Sequence, residues 1–273
     1  NSDIAAEQQL ADKKSRSLQL MDEGRKQMDD GCFDAAVKTF AAALDLDPDN
    51  ANIQRLEEEA ERKAQAKRLE ALGDVQMEND QLGEAIANYD DALKLWSENG
   101  SIKAKHDAAV AESKRRIEAA RQALISKIDE LRKQAEEQMT TGDTQRDCGA
   151  AHKNYVDCVA GCDQAIALDK DHVYPPDGRC EIEALRLLAE KKAKAQILVR
   201  QANEEMAAKD FHGAVSTLDE ALKLDTESAN IKALRDETAR KAAALDLQKQ
   251  GEEALAAGDN AKAVELLMRA LAS

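Results

Sequence analysis

Aromatic residues make up only 3% of this 273-residue chain, and proline occurs three times and glycine 12 times. Strands draw on β-branched and aromatic residues and are punctuated by glycine and proline, so the shortage argues against a sheet-based fold. No apolar stretch comes near the roughly 20 residues that span a bilayer, and no secretory leader is visible. A phosphate-binding glycine loop, a nucleophile elbow and a zinc-protease helix are all missing. The acidic pairs lie scattered along polar stretches that imply no pocket, so neither an enzyme nor a cofactor is expected. Basic residues are outnumbered 39 to 54, for a net charge of −15, which argues against nucleic acid or an anionic membrane as the principal partner.

What fills the sequence instead is charge, at 34%, together with alanine and leucine, the composition of long helices. It also repeats itself. The phrase LDPDNANIQRL, from Leu46, returns as LDTESANIKAL from Leu224. Ile4, Ile53 and Ile102 stand 49 residues apart, as do Met28 and Met77, and Met206 and Leu255. Self-similarity at a fixed period of about 20 to 50 residues marks a repeat architecture.

Each period holds two helical segments. In the shorter, Phe33, Ala36, Val37, Phe40 and Leu44 recur at helical spacing and form one apolar stripe. The stripe reappears as Leu82, Ala85, Ile86, Tyr89 and Leu93, as Phe211, Ala214, Val215, Leu218 and Leu222, and as Ala263, Val264, Leu267 and Leu271. The longer segment runs from about Asn50 to Asn79, with Pro48 ending the helix before it and Asn50 placed as its cap. Its larger apolar residues, Ile53, Leu56, Leu69, Leu72 and Val75, lie towards the ends, and its centre holds only alanine among charges. The helix is therefore expected to pack at its ends and to be thin in the middle, with the repeated ANI marking where it docks on the hairpin before it.

These residues resemble the tetratricopeptide repeat (TPR) family. Its pattern of glycine in the first helix, then alanine, an aromatic and alanine in the second, then proline, falls on Gly24, Ala36, Phe40, Ala43 and Pro48. Further copies read Gly73, Ala85, Tyr89, Ala92 and Ser97, then Ala202, Ala214, Leu218, Ala221 and Thr226, then Gly251, Ala263, Leu267 and Ala270. The resemblance implies an all-α chain, an α-solenoid of TPR-like hairpins with one elongated helix per repeat. The family repeat is about 34 residues, and the surplus is about four helical turns, roughly 22 Å. The expected division is 1–49 and 50–98 as two repeats, 99–178 as an irregular third carrying insertions, 179–227 as a fourth and 228–273 as a fifth. Asn1 to Ile4 aligns with Asn50 to Ile53, and Val264, Leu267 and Leu271 share one face of the last helix. Flanking repeats or partner chains are thus expected to cover both ends, as for a segment of a longer array.

The third repeat absorbs 31 extra residues. A helix from Ser101 to Thr141 is expected to exceed its equivalents by 13, the segment after Gly142 by 11, and the turn at HVYPPDGRC by 7. DQAIALD (163–169) would restore the pattern and put Cys162 at the buried aromatic position. Cys148/His152 and Cys158/Cys162 are i,i+4 pairs that could face one another as a tetrahedral zinc site, and Cys148 and Cys158 have the CX9C spacing of disulfide-linked hairpins. The plainer reading, favoured here, is buried core thiols. His106 and His212 read as isolated and exposed, and Trp96 and Tyr89 as turn packing and core.

The expected function is structural, a scaffold or protein–protein interaction module in the cytoplasm, with a cytoskeletal or ciliary assembly as its narrower form. Its partners would be other proteins of a larger assembly, not nucleic acid and not membrane. The one basic cluster, KKAKAQILVR (191–200), reads as a solvated helix face. The alternative is a co-chaperone gripping the C-terminal carboxylate of chaperones through Asn and Lys. Where that TPR subclass places Asn, this chain has Arg25, Asp74, Asn203 and Glu252, and where it places Lys, Met21, Glu70, Val199 and Gln248. Only Asn203 matches.

Overall fold

The computed structural model describes residues 2–272, and among them every regular element is a helix. In chain order these are α1 (Ser2–Asp29), α2 (Phe33–Leu46), α3 (Ala51–Glu78), α4 (Leu82–Leu95), α5 (Gly100–Thr144), α6 (Cys148–Leu168), α7 (Pro176–Ala207), α8 (Phe211–Leu224), α9 (Ala229–Ala256) and α10 (Asn260–Ala272). The fold is all-α, with long and short helices packed in consecutive pairs. Asn1, aligned above with Asn50, lies outside the described residues.

Local chemistry sets both kinds of boundary. Each pair is joined by three residues, and in four of the five turns the middle one is left-handed: Gly31 (φ 76°), Asp80 (64°), Lys209 (64°) and Gly258 (82°). The following N–H then reaches back to a carbonyl five residues earlier, as from Cys32 to Gln27 (2.8 Å) and from Asp210 to Glu205 (2.9 Å), closing the helix end. At the opposite boundary, Asn50 Oδ1 accepts from Ile53 N–H at 3.4 Å, Asn99 Oδ1 from Ile102 at 3.1 Å and Ser228 Oγ from Ile231 at 3.3 Å. The repeated phrase thus ends on an isoleucine whose N–H is capped and whose side chain is buried.

Ile53 packs with Ala36, Phe40 and Ala43 of α2, Ile102 with Ala85, Tyr89 and Ala92 of α4, and Ile231 with Ala214, Leu218 and Ala221 of α8. On α7 the same place is held by Ile182, whose neighbours carry no ANI. Ile4 has no such partner and is 67% exposed. A long helix therefore serves two hairpins. In α3, Ile53, Leu56 and Ala60 cover α2, whereas Ala66, Leu69 and Met77 face α4.

The middle of α3 is not thin. Ala60, Ala64 and Ala66 are buried, and it is Leu72 and Val75, expected to pack, that stand exposed. Short side chains let the neighbouring backbones come close enough to seal the alanines. The glycines do the same for the rings. A Cβ on Gly24 would sit 2.5 Å from Phe40, and one on Gly73 2.6 Å from Tyr89.

The chain divides into two compact units, Asn1–Ala119 and Ala120–Ser273, and the division falls within α5. That helix has 45 residues where α3 and α9 have 28. Its first turns pack with α4 through Ile102 and Ala109, and its last turns with α6 through Ile128, Leu131, Ala135 and Met139. Residues 114–123 between them are exposed throughout.

Two expectations about this region are only half met. The segment after Gly142 is longer than its equivalents, but by fewer than the 11 residues expected: residues 145–147 link α5 and α6, as few as in the other hairpins, and the growth is within α6. Most of the surplus lies in α5 and in α6, which has 21 residues where α2, α4 and α8 have 14, and the rest falls on the turn 169–175 and on α7, which has 32 residues where α3 and α9 have 28. Counted from the helix end, Cys162 is buried where expected, six residues before Leu168 as Phe40 is before Leu46, but counted from the helix start it does not stand at the aromatic position. That place is the eighth residue of each short helix, Phe40, Tyr89, Leu218 and Leu267, and in α6 it is Tyr155. A Cβ on Gly142 would meet the Tyr155 ring at 2.6 Å, the same contact as at Gly24 and Gly73. Seven residues are close to two helical turns, so Cys162 shares the buried face of Tyr155 and sequence spacing could not separate them.

Candidate functional site

The cysteines and His152 do not converge. Cys158 and Cys162 are fully buried beside Ala135 and Tyr155, and the hydrogen bond between them, with burial second, pushes the Cys158 thiol up. Cys148 packs instead with residues of α7 and α8, and His152 Nδ1 lies 3.0 Å from the Ala193 carbonyl. All five cysteines are free, and among the described residues no group of three His, Cys, Asp or Glu is arranged for a metal ion. His212, exposed as expected, pairs with Asp246 (3.0 Å), but His106 is half-buried and bridges to Asp90 (3.0 Å). Trp96 meets Phe33 edge to face at 5.3 Å, and Tyr89 is core.

The chemistry of the chain gathers around buried carboxylates, one on the long helix α3 and two at the C-terminal ends of α6 and α8. Burying a carboxylate is costly unless a cation or several donors face it. In the first unit, Glu70 is 4% exposed. It bonds Lys67 (2.8 Å), Lys105 (2.7 Å) and the Ser101 hydroxyl (3.2 Å). Burial alone would raise its pKa, but the bonds from Lys105 and Lys67 outweigh that and hold it below the usual carboxylate range. Lys105 also reaches Asp74 (2.6 Å), which accepts from the Tyr89 hydroxyl at 2.7 Å. Burial, then that bond, pushes Tyr89 up to about 12. Asp74 and Glu70 are the positions compared above with the carboxylate clamp, and both are acidic.

In the second unit, Asp169 is 2% exposed and equally well held, by Arg179 at 3.2 Å and by the Tyr174 N–H at 2.9 Å. Asp225 is different. It is 6% exposed, yet its carboxylate accepts no hydrogen bond and makes no ion pair with a described residue, and only its backbone carbonyl accepts, from Ser228 N–H at 3.4 Å. Among the described residues no side-chain nitrogen or oxygen sealed from solvent lacks a partner, so the unpartnered Asp225 oxygens are open to the cavity that they line. That cavity, of about 300 Å³, is bounded by Asp143, Gln145, Tyr155, Lys192, Gln196 and Ser228, among others. Asp143 accepts from the Tyr155 hydroxyl (2.8 Å) and from Lys192 (2.5 Å), whose ammonium lies 5.8 Å from the Tyr155 ring centre. Burial pushes the Asp225 carboxyl above its ordinary range, with Lys192 and, more weakly, Lys232 opposing and Asp143 and Glu227 reinforcing the shift.

A second cavity of about 270 Å³ shares Gln145, Gln196 and Asn230 with the first and is lined further by Val199, Ile231 and Leu234. The two form one groove between the α5–α6 turn, α7 and the start of α9. Sequence reasoning missed it. Lys192 was read as part of a solvated basic face, but it turns inward to Asp143. One signal was available: Asp47 is bonded by Asn50 (3.0 Å), and where Asp225 stands in place of Asp47, Ser228 replaces Asn50. The hydroxyl of Ser228 caps Ile231 and leaves the carboxylate without a donor.

Comparison with protein-family models and with curated proteins gives no match for this chain. No helix among the described residues is long and apolar enough to cross a membrane.

Proposed function

We propose that the chain is a structural scaffold, an α-solenoid of TPR-like hairpins that binds other proteins along grooves between its long helices. The observation that carries this reading is the sharing of α3, α7 and α9 between neighbouring hairpins, with the groove at α5, α7 and α9 as the site of contact. Repeats that stack only on their neighbours build extended surfaces rather than enclosed active sites. A net charge of −15 favours basic protein partners over nucleic acid or anionic lipid. The cytoplasm, and within it a cytoskeletal or ciliary assembly, is the setting this role suggests. Capture of chaperone C-termini is the weaker reading, because Asp74 and Glu70 present carboxylates where a terminal carboxylate would have to sit.

The test is affinity capture from native extract by the wild-type chain and by Gln196→Trp, which fills the groove from its wall. Partners retained by the wild type and lost by the variant are the expected result. Equal recovery on both, or none above a control resin, would refute the groove as the binding surface. Chaperones released by a free C-terminal peptide would favour the other reading.

A further inference from the structure

We propose that the cavity at Asp225 receives the cationic side chain, lysine or arginine, of a partner polypeptide. This deepens the interaction reading above and rests on it.

The molecule contains its own standard for a buried carboxylate. Glu70 is met by two lysine ammonium groups and Asp169 by a guanidinium, each within 3.2 Å. Asp225 is buried to nearly the same degree and has no equivalent. Lys192 is committed to Asp143 and makes no ion pair with Asp225. Among the residues that line the cavity, Asp143, Asp225 and Glu227 carry negative charge against the one cation Lys192, and Lys232, outside the lining, acts on Asp225 more weakly than any of these. These carboxylates do not form a metal site. What the cavity offers is a place for one compact cation, with the Gln145 and Gln196 side chains available as further acceptors.

The second cavity argues for a polypeptide over a free amine. It continues from the first past Gln145, Gln196 and Asn230, and its lining joins the apolar Val199, Ile231, Ala233 and Leu234 to the oppositely charged Arg146 and Glu237. In an extended segment successive side chains point to opposite faces and residues two apart share one, about 6.6 Å from each other, so a basic residue at Asp225 puts the apolar residue two positions along in the second cavity. A charge-assisted bond to a largely desolvated carboxylate gives the specificity, and the apolar contact adds area.

The test uses the isotope-labelled full chain in NMR titrations with three probes: the blocked peptide acetyl-Gly-Lys-Gly-Leu-Gly-amide, the same peptide with norleucine for lysine, and n-butylammonium chloride. The lysine peptide is expected to shift the amides of Gln145, Gln196, Ser228 and Asn230, with binding weakened about tenfold or more by norleucine or by Asp225→Asn. Absence of these shifts, or indifference to both changes, would overturn the proposal. Equal binding of n-butylammonium would overturn the polypeptide assignment in favour of a small amine. The norleucine comparison on the wild-type chain decides the matter even if Asp225→Asn does not fold. Loss of native partners with Gln196→Trp but not with Asp225→Asn would leave the groove reading standing and remove the cation.

Discussion

The isoleucines of the repeated phrase allow the double use of the long helices to be measured. Ile53 and Ile231 are buried among alanines and a ring or leucine, while Ile4, at the matching point of α1, is 67% exposed. Replacing a buried isoleucine with alanine removes three carbons, roughly 2–2.5 kcal/mol of transfer free energy at about 0.8 kcal/mol per methylene. A cavity term adds to this because the surroundings relax only in part. Around Ile53 the neighbours include Ala36, Ala43 and Ala60, whose methyl groups cannot swing into the space. Ile53→Ala is therefore expected to cost about 3–4 kcal/mol, and Ile4→Ala less than about 0.5 kcal/mol. Urea unfolding would be followed by far-ultraviolet circular dichroism and by fluorescence of Trp96, the single tryptophan, which lies in the first unit. Ile53→Ala should move the Trp96 transition, and Ile231→Ala should move the helical signal while leaving Trp96 in place. A cost for Ile4→Ala equal to that of Ile53→Ala, or below about 1 kcal/mol for Ile53→Ala, would refute the docking role.

Glu70→Gln should destabilise the first unit by about 1–2 kcal/mol, since it removes the charge-assisted bonds from Lys67 and Lys105 while both lysines remain partly solvated and Lys105 keeps Asp74. Because the folded pKa of Glu70 lies below its ordinary value, its contribution is full above the unfolded carboxylate pKa and disappears as pH falls through the folded one. Acid titration of wild type against Glu70→Gln, read by Trp96, should show the two converging at low pH; a constant difference would refute this. Gly142→Ala should cost about 1–2 kcal/mol, as Tyr155 is displaced from its bond to Asp143 despite the gain in helix propensity, and thermal melting measures it. Thiol labelling of the native chain should modify exposed Cys32 and Cys180 rapidly, and Cys158 and Cys162 only on unfolding; prompt labelling of Cys158 would contradict its burial.

Much of the hairpin pattern was legible because helical periodicity and caps are local. Asn50 before Ile53, or Phe33 to Phe40 on one stripe, can be recognised within a dozen residues. Three things were not legible. The face of α6 repeats every seven residues, so Tyr155 and Cys162 could exchange places without altering the pattern. The burial of Ala60, Ala64 and Ala66 depends on how closely other helices approach, which no local signal carries. The groove at Asp225 joins residues from positions 142 to 230, and only its missing donor, Ser228 for Asn50, was written locally.

Since one helix closes the hairpin behind it and opens the next, the natural unit of gain and loss in such a gene is one whole period, and a cut out of phase with it would strand half of a shared helix. A deletion running from Ile53 through Ser101 removes 49 residues and joins Asn52 directly to Ile102. Asn50 then caps the incoming helix, Ile102 falls where Ile53 was, and Ala109 where Ala60 was. Duplications with the same mid-element breakpoints would be equally silent to the packing, so the number of copies could drift by whole periods while every seam stayed inside a helix.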